Sequence, residues 1–296
     1  MWLFFAVLTV LMWGSSDVFF KRASSKEGSV ADLIAYNGIV LFVFTLAYML
    51  VKGIGFNFYA IVRYIPVAGC YIASMFFYYA AFRFAKVSIV SPVANSSCAI
   101  TSLCCVILLS QELVWYQIVG IVIITGSIIM LSVLDQEKEK VKKTMFLSGL
   151  VLALVYALLD GVGSYLDEAY IEKYVVSGGN ITEDDVIVAM AALYGAVSLV
   201  ALCYKLIRDK KKGILNKEYF KPDKMKLAGT VFETIGQYTY IYAYASGDAA
   251  IASPFIASFS AVSIILSRIF LKEKITRKQY ILVTLIIAGM FMLSIE

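Results

Sequence analysis

Ten apolar runs divide this chain: 1–20, 31–51, 63–82, 86–110, 114–134, 146–171, 184–206, 226–246, 248–270 and 278–295. Most approach the roughly 20 residues an α-helix needs to cross a hydrocarbon core. Charge collects between the runs, in the stretch 135–143 (DQEKEKVKK) and in a longer basic, partly amphipathic loop over 208–226. A backbone in lipid must satisfy its own polar groups, so this pattern predicts an all-α integral membrane protein with ten transmembrane helices.

The second half repeats the first. Tyr78 to Ser132 recurs without a gap as Tyr240 to Ser294, an offset of 162, with identities at Ala81/Ala243, Ile89/Ile251, Ser91-Pro92/Ser253-Pro254, Ser96/Ser258, Ala99/Ala261 and Gln117/Gln279. The expected organisation is a first five-helix repeat over 1–134, a charged linker over 135–144 and a second five-helix repeat over 145–296. Basic residues are retained on the cytoplasmic side. Of the 26 Lys and Arg, 23 fall on one side of the predicted topology and only Lys52, Arg63 and Lys173 on the other. This places both termini outside and the linker inside. With an odd number of helices per half, the two repeats are expected to be inverted relative to each other, as in many secondary transporters.

Composition agrees: 61% of residues are hydrophobic and the mean hydropathy is +0.82, far from a soluble domain. The net charge of +5 belongs to inter-helix loops and implies no nucleic-acid partner. The first run, with Trp13 and Asp17 inside it and Lys21-Arg22 after it, reads as a retained helix rather than a cleaved signal. Five cysteines lie in apolar runs without disulfide or zinc spacing, and there is no histidine, so no metal or cofactor is expected and an enzyme is disfavoured.

Ionisable groups inside apolar spans are costly and mark function. Asp17, Asp160 and Glu233 are the candidates. Sliding the first helix onto the sixth at offset 143 superposes Trp13 on Tyr156 and Asp17 on Asp160, an aromatic residue one turn before an aspartate in each half. Glu233 meets Tyr71 at its repeat position, so the two halves are not identical there. Polar stripes at helical spacing extend the set: Tyr156, Asp160, Ser164 and Asp167; Glu233, Gln237, Tyr240 and Tyr244; Ser91, Asn95, Cys98 and Ser102. The expected binding set is Asp17, Asp160, Glu233, Trp13, Tyr156, Tyr78, Tyr240, Gln237, Asn95, Ser91 and Ser253, an acidic and aromatic cavity for a cationic or zwitterionic metabolite or drug. Carboxylates there can exchange a proton as substrate binds, which would couple transport. The plainer alternatives are that Asp17 pairs with Lys21, that Glu233 is interfacial, and that Asp167 and Glu168 are solvated at the outer end of helix six. Gly14, Gly69, Gly126, Gly161, Gly163 and Gly289 read as helix-packing positions.

Trp13-Gly14 followed by Lys21, Tyr79-Ala80-Ala81-Phe82 with Ser91-Pro92, Leu109-Ser110-Gln111-Glu112 with Gln117 and Gly120, and their second-half counterparts Tyr242-Ala243, Ser253-Pro254, Leu271-Lys272-Glu273, Gln279 and Ala288-Gly289 carry a resemblance. In their order and duplication the chain resembles ten-helix EamA-type members of the drug/metabolite transporter superfamily. That resemblance implies a multi-pass plasma-membrane transporter, monomeric or homodimeric, working by alternating access and usually in export. Helices 1, 3, 4, 6, 8 and 9 would line the cavity, with 5 and 10 peripheral. Uncoupled export of amino acids is the alternative within transport; a membrane enzyme or structural subunit is the alternative outside it. Two departures stand out. The proton-coupling glutamate of related four-helix multidrug proteins has Trp13 in its slot here, and many family members have cytoplasmic termini.

Overall fold

The computed structural model describes residues 1–24, 30–81, 96–136, 143–211, 223–270, 272 and 276–295. Among them there is no strand. The helices are α1 (Trp2–Ser24), α2 (Val30–Lys52), α3 (Phe58–Ala81), α4 (Ser97–Leu108), α5 (Trp115–Gln136), α6 (Lys143–Ile171, continued by a π-helical turn over Glu172–Val176), α7 (Glu183–Lys211), α8 (Lys224–Ser246), α9 (Ala249–Ala257), α10 (Phe259–Phe270) and α11 (Arg277–Leu293). By length and apolar content, six described segments qualify as membrane spans: Trp2–Phe20, Ile34–Lys52, Phe58–Tyr78, Ser148–Val176, Glu183–Lys211 and Ala249–Phe270. The polar stripe that α8 carries through Glu233, Gln237 and its tyrosines dilutes its apolar content.

Helix starts follow local chemistry. Asn57 Oδ1 accepts from Ala60 N at 3.2 Å, which begins α3 five residues ahead of the predicted 63. Thr182 and Asp185 form a reciprocal cap at the start of α7, 3.2 Å and 2.9 Å, with Glu183 and Asp184 in the first turn and Arg208, Lys210 and Lys211 in the last. Asp223 caps α8, accepting from Met225 N at 2.9 Å. Thr276 and Gln279 form a capping box on α11.

The run predicted as one helix over 248–270 divides at Ser258 into α9 and α10. Pro254 lies inside α9, lacks an N–H and cannot bond the Ala250 carbonyl. Ser102 Oγ donates to that carbonyl at 2.7 Å, so the freed acceptor is satisfied from α4.

The offset of 162 survives in three dimensions. The starts of α4 and α5, Ser97 and Trp115, correspond to those of α10 and α11, Phe259 and Arg277. Even the left-handed residues correspond, Ser110 (φ 55°) and Lys272 (φ 56°). Packing is reciprocal between the halves. α1 packs on α8 and α10, while α6 packs on α3 and α4; α2 pairs with α7 and α5 with α11. α1 and α8 run antiparallel, as Thr9 bonds Thr239 at 2.8 Å and Ser16 donates to the Gly229 carbonyl at 2.9 Å. α3 and α6 do the same, Tyr170 donating to the Ala60 carbonyl at 3.1 Å while Tyr78 meets Tyr156 with ring centroids 4.8 Å apart.

Small residues allow these approaches. A Cβ on Gly38 would lie 2.7 Å from Ser198 Cβ, and one on Gly195 would lie 2.9 Å from the Phe42 ring, so α2 and α7 lock through a glycine each. Gly14, Gly161, Gly163 and Gly289 also face neighbours closely. Gly69 and Gly126 do not: a Cβ there meets nothing within 4 Å. Large apolar side chains such as Phe4, Leu11, Leu103, Ile107, Val122 and Phe291 are exposed, the outward face expected of a protein whose solvent is lipid.

Candidate functional site

A cavity of about 310 Å³ opens between the two halves. Its volume falls in the range of small-molecule sites. α1 contributes Trp13 and Asp17, α3 contributes Tyr71 and Tyr78, α6 contributes Tyr156, Asp160 and Ser164, and α8 contributes Glu233, Gln237, Tyr240 and Tyr244. Ser97 and Cys98 of α4, Ser253 of α9 and Phe259 of α10 complete those walls. Nine of the expected residues therefore share one cavity: Asp17, Asp160, Glu233, Trp13, Tyr156, Tyr78, Tyr240, Gln237 and Ser253. Ser91 and Asn95 lie outside the described residues.

α2 and α7 also reach the cavity, through Asn37, Leu41 and Tyr194. These positions fall outside the six helices that the resemblance put at the cavity. Asn37 and Tyr194 each immediately precede the packing glycine of their helix, Gly38 and Gly195, which is the signal that could have found them. The described parts of α5 and α11 do not line the cavity.

The aromatic wall is built around Trp13. Its ring stacks on Tyr240, 5.6 Å between centroids at 28°, and meets Phe259 edge-on at 5.9 Å. Trp13 Nε1 donates to the Glu233 carbonyl at 3.4 Å. The indole lies against Gly236, where a Cβ would come within 2.4 Å of Trp13 Cδ1. Beside it, Tyr71 and Tyr240 share a hydrogen bond at 2.8 Å, and Tyr71 also bonds Ser164 at 3.1 Å.

The carboxylates occupy two places. Glu233 stands on α8 within range of the Asp17 charge and of the Ser16 hydroxyl. Asp160 stands on α6 with the Ser97 and Tyr156 hydroxyls as partners. The interfacial alternative for Glu233 is therefore set aside: it lines the cavity in mid-helix.

Two expectations need correction. The offset of 143 between α1 and α6 is one turn out. A Cβ on Gly14 would lie 2.9 Å from Phe259 O and 2.8 Å from Val262 Cβ, and one on Gly161 would lie 2.7 Å from Ser97 O and 2.7 Å from Ile100 Cβ. Phe259 and Val262 are the repeat positions of Ser97 and Ile100, so Gly14 matches Gly161 at offset 147. Asp160 then takes the position of Trp13, and Asp17 that of Ser164. A four-residue slip keeps a helix on the same face, which is why sequence periodicity cannot separate the two registers.

Asp167 and Glu168 are not solvated at a helix end. They are 0% and 4% exposed, because α6 runs on through its π turn and α3, α9 and the segment after α4 close over them. Tyr64 donates to Asp167 Oδ1 at 2.9 Å. Glu168 Oε1 accepts from Gln111 Nε2 at 2.6 Å and from Ala249 N at 3.2 Å, while Gln111 Oε1 accepts from Ala250 N at 3.0 Å. Asp248 makes no side-chain cap, so Glu168 and Gln111 together cap α9 from elsewhere in the chain. At the same end of the helices, Tyr48 and Tyr242 both donate to Asp184 Oδ1, at 2.6 and 2.9 Å, tying α2 and α8 to the start of α7.

Among the described residues no group of three or more Cys, Asp or Glu is placed to hold a metal.

Comparisons with known proteins agree with this architecture. An uncharacterized protein of Methanocaldococcus jannaschii is 28% identical over 149 residues, which is 50% of this chain and 98% of that protein. A crystal structure superposes with a TM-score of 0.78 over 99% of this chain and 98% of its own, at 16% identity, which speaks to the fold alone. The EamA-like transporter family matches residues 1–133 and 174–295. With that match covering most of the sequence, the chain belongs to the EamA-like transporter family, membrane transporters of the drug/metabolite transporter superfamily.

Proposed function

We propose that the protein is a secondary transporter that carries a small cationic organic metabolite or drug, in export, through the cavity between its halves. One observation carries the reading: carboxylates from α1, α6 and α8 meet aromatic faces from α1, α3, α6 and α8 around one volume of about 310 Å³. A cation leaving water there exchanges hydration for carboxylate oxygens and ring faces. The binding set of this reading is Asp17, Asp160, Glu233, Trp13, Tyr156, Tyr78, Tyr240, Gln237 and Ser253. Proton exchange on the carboxylates would couple substrate movement to a proton gradient.

The alternating-access frame is ten helices in two inverted repeats, 1–134 and 145–296, with α9 and α10 forming helix nine. Support comes from the reciprocal, antiparallel packing of α1 on α8 and α3 on α6, and from a relative of half the length that aligns over nearly all of itself. In this reading both termini face outward from a plasma membrane, supported by the 23 of 26 Lys and Arg on one side of the ten-helix topology.

The test is flux in proteoliposomes. Asp160→Asn and Glu233→Gln are each expected to lower uptake of an organic cation by about tenfold or more, since each removes a charge-assisted contact of roughly 1.5–3 kcal/mol. Wild-type rates in both variants would remove the carboxylate mechanism.

A further inference from the structure

We propose that the ligand is a dication, a flexible diamine whose two ammonium groups are held separately, one at Glu233 and the other at Asp160. The inference rests on the transport reading above and narrows its substrate class. Glu233 belongs to α8, which packs on α1, while Asp160 belongs to α6, which packs on α3 and α4. The two anionic centres therefore occupy different walls. Tyr194 of α7 lines the same cavity and lies within electrostatic range of both Glu233 and Asp160.

The charge balance favours two cationic ends. No Lys or Arg among the described residues lines the cavity. Neither Glu233 nor Asp160 forms an ion pair with a described residue. A monocation would neutralise one centre and leave the other without a cation, to be neutralised by a proton. A zwitterion would bring a carboxylate that finds no cationic partner among those residues. A diamine answers both centres, and its methylene chain can pack on the aromatic wall that Trp13 and Tyr240 contribute to the cavity. The Tyr244 hydroxyl lines the same cavity beside Tyr240 and Ser253 and can accept from an ammonium N–H.

The experiment is calorimetric titration of the purified full chain with unbranched diamines from 1,3-diaminopropane to 1,6-diaminohexane, with n-butylamine, tetramethylammonium and lysine as comparators. Affinity is expected to peak at one chain length, with n-butylamine and lysine about 10- to 100-fold weaker, the range of one charge-assisted contact. Glu233→Gln and Asp160→Asn should each reduce the diamine to the affinity of the monoamine. Equal binding of butylamine and diamines, or lysine binding as tightly as a diamine, overturns the dication while leaving the cation-transport reading in place. Absence of binding by every amine to protein that still unfolds cooperatively overturns both. The chain-length series uses the wild-type protein, so it stands even where a variant fails to fold.

Discussion

Gly236→Ala tests the aromatic wall directly. A Cβ at this position would sit 2.4 Å from Trp13 Cδ1 and 2.6 Å from Nε1, against ordinary contact near 3.5 Å. The indole must therefore move by roughly 1 Å, which disturbs its stack on Tyr240 and its bond to the Glu233 carbonyl. Overpacking of this kind costs about 1–3 kcal/mol and a lost aromatic pair about 0.5–1.5 kcal/mol. Alanine returns roughly 0.8–1.0 kcal/mol of helix propensity. The net expectation is destabilisation by about 0.5–4 kcal/mol, read as a lower unfolding midpoint in detergent. Gly126→Ala is the control, because nothing lies within 4 Å of its Cβ; it should be neutral or stabilising by up to about 1 kcal/mol. In a Trp13→Leu background the Gly236→Ala penalty should largely vanish, since the colliding ring is gone. A Gly236→Ala protein as stable as Gly126→Ala would refute the seating of Trp13 on α8.

Three further outcomes follow from the buried polar groups and the charge pattern. Glu168→Ala leaves Gln111 Nε2 and the Ala249 N–H without their acceptor, and should destabilise by about 2–4 kcal/mol while speeding amide exchange at Ala249; unchanged exchange would show that α9 is not capped from α6. Tyr64→Phe deprives buried Asp167 of its 2.9 Å donor and should lower the unfolding midpoint by the equivalent of about 1.5–3 kcal/mol, whereas Tyr59→Phe, at a half-exposed ring, should leave it unchanged; equal effects would remove the special role of the Tyr64 hydroxyl. A cysteine placed at the C-terminus should react with an impermeant maleimide in intact cells; protection would reverse the outward orientation drawn from the basic loops.

Much of the site was legible because burial in a membrane makes polar residues conspicuous. Asp17, Asp160 and Glu233 interrupt apolar runs, and periodic spacing links Glu233, Gln237, Tyr240 and Tyr244 on one face of α8, all of which line the cavity. Asn37 and Tyr194 escaped, since α2 and α7 each carry several polar residues and which of them faces the cavity is set by the packing through Gly38 and Gly195. Asp167 and Glu168 were misread for a different reason. Their position near the end of an apolar run suggested solvent, yet the cover comes from α3, Gln111 and Ala249, which are distant in sequence.

What the sequence alone determined is the set of quantities that depend on the chain locally or on its comparison with itself: apolar runs, their lengths, the duplication at 162 and the gathering of basic residues between the runs. Registers between helices, by contrast, were decided by tertiary structure. Offsets of 143 and 147 differ by one turn and present the same face, so only the contacts of Gly14 with Phe259 and Val262, and of Gly161 with Ser97 and Ile100, distinguish them. The break between α9 and α10 is of the same kind. Pro254 announces a missing donor in the sequence, but the acceptor it strands is met by Ser102 of α4, a partner that exists only once the helices have packed.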